Sequence, residues 1–190
     1  MYCYIMAWNR LEYCMRVILS VILCLAVATP TLAADPPQFT APVISVADGV
    51  TLAVLTKDKQ QLKIRLYGID CQERGREFWS RAKEATSGAV FGKNVTVRPI
   101  EAEEREGRTV AVVFMPGGKS LNEHLVREGL AWVSQKYCTQ EKICAPLRNL
   151  EKAAKAQKRG LWVDKTPVAP QEWMLLPGAG GPSMPGGAPR

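Results

Sequence analysis

A chain of 190 residues with 47% apolar and 23% charged residues has the make-up of one globular domain with appendages, long enough to bury a core without staples. Its 25 Lys plus Arg against 18 Asp plus Glu give a net charge of +7, which suits a polyanionic partner or plain solubility, and charge alone weighs the two equally. The one histidine, His124, excludes a zinc site built on two or three imidazoles and a two-histidine cleavage pair, so any catalysis must rest on carboxylates, Arg, Lys, Cys or a hard metal ion.

In chain order, the first feature is a twelve-residue apolar run, Val17 to Ala28, preceded by Arg16 and followed by Thr29-Pro-Thr-Leu-Ala-Ala34. A membrane span needs about 20 apolar residues, whereas a charged start, a short apolar stretch and small residues make a secretory signal. Residues 1–34 are therefore expected to leave by cleavage after Ala33 or Ala34, with Met15 a more natural start than Met1. Export to a secreted or periplasmic location follows, with no stable membrane insertion afterwards. The leader takes Arg10, Arg16 and Glu12 with it, so the charge falls by one from +7 to about +6. Cys3, Cys14 and Cys24 leave too, while Cys71, Cys138 and Cys144 remain. Five residues separate Cys138 from Cys144, and an oxidising compartment makes a short-loop disulfide the economical reading, with two unpaired buried thiols as the alternative.

After a short linker, residues 35–41, the pattern alternates from Pro42, with Val43, Ser45 and Ala47 on one side and Ile44 and Val46 on the other. Asp48-Gly49 marks a turn, Thr51 to Leu55 a second strand, and Leu62, Ile64 and Leu66 one face of a third. Helical spacing of Phe78, Ala82, Ala85, Ala89 and Val90 predicts a helix over 77–91, stopped by Gly92. Strands follow at Asn94 to Arg98 and Thr109 to Phe114. Ser120-Leu-Asn-Glu123 is a capping box opening a helix closed by Gly129, and Pro146 stands at the first turn of a last helix that runs to Gly160. Five strands and three helices fit a small five-stranded barrel with helices outside. Pro177 to Arg190, rich in Pro and Gly without period, reads within a flexible tail spanning residues 166–190.

Chemistry concentrates after the third strand, in Arg65-Leu-Tyr-Gly-Ile-Asp70-Cys-Gln-Glu73. Two carboxylates three residues apart at a turn can converge on a hard cation, or one can hold metal while the other takes a proton from water. Arg65 shares the parity of Lys63 and should project opposite Ile64, either paired with those carboxylates or open to an anion; spacing favours the pairing. Arg108 begins the fifth strand. Two Arg, one Glu and one Asp meet the needs of phosphodiester hydrolysis without histidine.

VISVADGVTL at 43–52, KIRLYGIDCQE at 63–73, the helix from Phe78, EREGRTVAVVF, SLNEHLVREGLAWV at 120–133 and LRNLEKAAKAQKRGLW at 147–162 occur in an order and spacing that resemble the staphylococcal nuclease (thermonuclease) family over residues 42–165. The resemblance implies an α+β, mainly β fold, a five-stranded OB-fold barrel with three flanking helices. It also implies a calcium-dependent nuclease active on DNA and RNA, single-stranded or denatured strands preferred, working as a monomer. By the same resemblance Arg65 and Arg108 bind the scissile phosphate, Glu73 activates or positions water, Asp70 and the backbone carbonyl of Cys71 ligate calcium, and Asp48 supports the site.

Val50 departs from the pattern, standing at the third position of the Asp-Gly-Asp turn, where the family usually has a calcium-ligating aspartate, and its loss should weaken the metal. Gln72 stands where proline is frequent and is expected to loosen the turn. A catalytically impaired OB-fold module that binds nucleic acid without turnover is the alternative, and adhesion to anionic envelope components a third. Aromatic residues, at 7%, argue mildly against a stacking platform. His124 reads as a bland helix residue, Trp132 and Trp162 as core aromatics, and Trp173 lies beyond the barrel.

Overall fold

Alternating side chains close a sheet on itself in this chain. The computed structural model describes residues 37–104 and 107–164 together with 167 and 169. The expected leader (1–34), Trp173 and all of the expected tail except residues 167 and 169 lie outside the described residues. Among the described residues, seven strands, β1 (Phe39–Val46), β2 (Thr51–Leu55), β3 (Gln61–Leu66), β4 (Ile69–Asp70), β5 (Asn94–Glu104), β6 (Arg108–Phe114) and β7 (Trp132–Val133), accompany three helices, α1 (Glu77–Val90), α2 (Leu121–Arg127) and α3 (Glu141–Ala156). A 3-10 turn spans Gly160–Val163.

The barrel closes in the order β1-β2-β3-β6-β5, with β3 and β6 parallel and every other pair antiparallel. It is the expected α+β, mainly β architecture: a five-stranded OB-type barrel with three helices. Val43, Leu52, Val54, Ile64, Leu66, Val95, Val97 and Val113 are buried in its core. Both faces of β6 are covered, Thr109 to Val113 being buried throughout, because α2 packs over the side that does not face the barrel interior. Trp132 and Trp162 meet edge to face, centroids 5.9 Å apart, in a second small cluster with Phe78 and Leu161.

Three features differ from the sequence expectation. Strand β1 begins at Phe39, which pairs with Val97, so residues 39–41 of the expected linker belong to the barrel. The two-residue strands β4 and β7 pair outside the barrel, too short for any period to announce them. Helix α3 starts at Glu141, placing Pro146 inside it rather than at its first turn. An interior proline forfeits a hydrogen bond and costs about 3 kcal/mol. Tertiary ties offset that cost: Cys138 and Cys144 form the expected disulfide, and the Tyr67 hydroxyl accepts the N–H groups of Thr139 (2.9 Å) and Gln140 (2.8 Å) at the helix start.

Candidate active site

Strand register places the two arginines. Arg65 on β3 pairs with Val110 on the parallel β6, so Arg108, two residues before Val110, shares its face of the sheet. Ile64 and Leu66 point into the barrel at 0% and 1% exposure, so Arg65 projects outward, as its parity predicts. Its Nη2 donates to Asp70 Oδ1 at 2.5 Å, the pairing that the spacing favoured. Both side chains are mostly buried, which makes the pair less screened than a surface one.

The turn carrying Asp70 is anchored at each backbone group leading into it. Tyr67 N–H donates to Ala111 C=O (2.8 Å), Asn122 Nδ2 donates to Tyr67 C=O (2.9 Å), and Ser134 N–H donates to Gly68 C=O (2.9 Å). Gly68 has φ of 71°, and a Cβ there would sit 2.6 Å from Cys138 Sγ, so glycine lets the disulfide press against the turn. Sequence reasoning missed Tyr67 and Asn122 as supports, since neither position carries a local signal.

Asp48 opens the other side of the site. Its Oδ1 accepts the Val50 N–H at 2.8 Å, an Asx turn. Helix α1 lies directly on this turn: Thr86 Oγ1 donates to Gly49 C=O at 2.7 Å, and a Cβ on Gly49 would come within 2.6 Å of Ala82 Cβ. Between turn and strand sits the free thiol of Cys71. Burial pushes its pKa up to about 12, and the charges of Asp48 and Asp70 act in the same direction, while Arg65 and a Gly49 backbone hydrogen bond oppose them. Asp48, Arg65 and Asp70 therefore surround one thiol.

Glu73 is exposed, beginning the loop from β4 to α1, and its carbonyl accepts the Arg76 N–H. Gln72 does not loosen that loop. Its Oε1 accepts the Phe78 N–H at 3.1 Å, capping α1 in place of the N-cap residue Arg76, whose side chain does not cap the helix. Tyr137, also not anticipated, is 53% exposed and lines a cleft with Arg65, Asp70 and Val110, so one large aromatic face stands beside the arginine.

Val50 is 3% exposed and packs within the barrel core, its backbone C=O accepting the Leu66 N–H. It seals the core at the position where the resemblance implies a calcium-ligating carboxylate. Among the described residues, no three His, Cys, Asp or Glu side chains converge into a metal cage. What remains is two carboxylates flanking Cys71. That set fits a hard, oxygen-seeking cation held through few protein oxygens and keeping much of its water.

A closed barrel with two arginines on one face, beside carboxylates at a strand-ending turn, belongs to the class of small barrel nucleases. A family model described as "Staphylococcal nuclease homologue" matches residues 63–164, and the chain belongs to that family. It is similar to an "Uncharacterized endonuclease" of Escherichia coli O157:H7, 37% identical over 131 residues that cover 69% of this chain and 82% of the relative. It is also 34% identical over 144 residues to a "Micrococcal nuclease" of Shigella flexneri, covering 72% and 80%. "Protein ParB" of Escherichia coli is 31% identical over 174 residues, covering 87% and 93%.

Proposed function

We propose that this protein hydrolyses phosphodiester bonds of DNA and RNA, with single-stranded or denatured strands preferred, in a calcium-dependent reaction in a secreted or periplasmic setting. The observation that carries the reading is the β3–β6 register, which sets Arg65 and Arg108 on one face next to Asp70. The family membership supports it, and the apolar run before Ala34 supports export.

Each residue has a task its chemistry fits. Arg65 and Arg108 donate to the nonbridging oxygens, where negative charge grows during attack. Arg65 commits one nitrogen to Asp70 and keeps further N–H groups in its fork for phosphate. Glu73, exposed and three residues after Asp70, orients the attacking water and takes its proton. Tyr137 offers a ring on which a neighbouring base can stack. A calcium ion held by Asp70 and the Cys71 carbonyl, with Asp48 in support, would add positive charge beside the phosphate.

Digestion of denatured DNA and of RNA, with and without millimolar calcium, tests the reading. Folded protein that binds strands but cuts neither at any calcium concentration would select the impaired binding module. The buried place of Val50 gives a second test. Val50→Asp should melt below the parent without metal, because an uncompensated buried polar group costs on the order of 3 kcal/mol. Calcium should restore more of its melting temperature than it adds to the parent's, and cleavage should begin at lower calcium. Equal calcium shifts in the two proteins would mean that residue 50 is not at the metal.

A further inference from the structure

The N-terminal turn of α1 carries a cationic group that the catalytic set leaves unused. The Arg74 guanidinium carbon lies 5.3 Å from the centroid of the Trp79 ring, and Lys83 Nζ lies 5.4 Å from the same centroid. One half-buried indole thus holds two long cations that would otherwise sample many rotamers.

The helix face shows where this group looks. Ala82 and Thr86 touch the Asp48–Gly49 turn. Trp79 precedes them by three and seven residues and so lies along the same line, one turn nearer the Glu73 loop. Arg74 belongs to that loop, which Gln72 ties to the helix start. The acidic residues of the helix point elsewhere. At 3.6 residues per turn, Glu77 and Glu84 sit about 160° and 140° around the axis from Trp79. Arg81, also about 160° away, lies instead over the Phe78 ring at 5.3 Å. The Trp79 edge therefore presents positive charge beside the site without a carboxylate of α1 between.

Two like charges sharing one ring raise the local potential, and a phosphate between them relieves it. We propose that Arg74 and Lys83, held by Trp79, form a second phosphate subsite that takes the backbone of a single-stranded nucleic acid to one side of the bond gripped by Arg65 and Arg108. The subsite rests on the nuclease reading for its ligand, but its binding can be measured without cleavage.

The measurement is fluorescence anisotropy of a labelled twelve-nucleotide oligothymidine in EDTA, across a range of salt. Each phosphate contact to a single strand contributes about 0.7 to the slope of log affinity against log salt. Arg74→Ala/Lys83→Ala should bind more weakly, with a slope lower by about 1.4, so that the parent loses about sevenfold more affinity than the variant between 50 and 200 mM salt. The control Lys57→Ala/Lys59→Gly removes equal charge from the β2–β3 hairpin, at the opposite end of β2 from the Asp48 turn, and glycine suits the φ of 57° at residue 59. It should leave the slope where it was. An unchanged slope in the first variant, or an equal fall in both, overturns the subsite. A parent that binds but cuts with no divalent cation sinks the nuclease reading and leaves the subsite standing. A parent that cuts, with slopes equal in parent and Arg74→Ala/Lys83→Ala, does the reverse. A parent that neither binds nor cuts overturns both.

Discussion

Replacing Glu73 by Gln should lower kcat on denatured DNA by about 10²- to 10⁴-fold, the usual contribution of a positioned general base. Glutamine keeps the length and the hydrogen-bonding oxygen but cannot take a proton, so strand binding and KM should change little. The melting temperature should also hold, because Glu73 is exposed and lends the fold only its backbone turn to Arg76. Arg65→Ala is a less clean probe of the same chemistry. It removes a donor worth about 10²- to 10³-fold, and it also removes the part-buried ion pair that Arg65 makes with Asp70, so stability and catalysis fall together. Lysine at position 65 should not restore activity, since a point charge cannot serve Asp70 and a phosphate in the fixed fork that guanidinium offers. A Glu73→Gln protein retaining more than a tenth of parental kcat would remove Glu73 from the chemistry.

How far such roles can be read without coordinates depends on whether they are local. Alternation in β1 breaks at the register shift between Val43 and Ser45, whereas alternation through Leu62–Leu66 announces β3 because Ile64 and Leu66 are buried on one face. The outward direction of Arg65 followed from the same parity, and its pairing with Asp70 from a five-residue spacing. The proximity of Arg108 to Arg65 was not local. It depends on the parallel closure of β3 onto β6, between residues more than forty positions apart, and only the family resemblance anticipated it. The start of α3 differs from the expectation because the first-turn preference of Pro146 is a weak local rule, overruled by a disulfide and by a tyrosine hydroxyl from the turn after β3. Gln72 was misread for a related reason. Substituting proline relaxes a backbone, but here the new side chain reaches six residues on and rebinds it.

Val50 shows the limit of reading a site by correspondence. Its position implied a missing ligand, and its surroundings add that the lost carboxylate was exchanged for core packing. On the calcium-dependent reading proposed above, valine at this position removes charge from the cation and spares the metal-free protein a buried carboxylate, which would be costly without a partner. On that reading the fold should tolerate low calcium while the reaction demands high calcium.

Asn122→Ala should cause a large loss of stability, although the residue touches no ligand. The side chain is 1% exposed and bridges β6 to the turn after β3: Oδ1 accepts the Val113 N–H at 3.2 Å, and Nδ2 donates to the Tyr67 C=O at 2.9 Å. Alanine leaves a backbone donor and an acceptor buried without partners, each costing about 1–3 kcal/mol. A total near 3 kcal/mol should lower the melting temperature by about 10 °C for a domain of this size. Asn122→Asp should be no better. It keeps an acceptor for Val113 but turns a carboxylate oxygen toward the Tyr67 carbonyl and buries a charge. Tyr67 and Gly68 lead directly into Asp70, so the same substitution loosens the turn that aims that carboxylate. Measured well below its melting temperature, Asn122→Ala should therefore need more calcium for half-maximal cleavage than the parent does. A melting temperature within 2 °C of the parent's would show that water or a shifted strand satisfies both groups, and the turn would then owe its position to Ser134 and the disulfide instead.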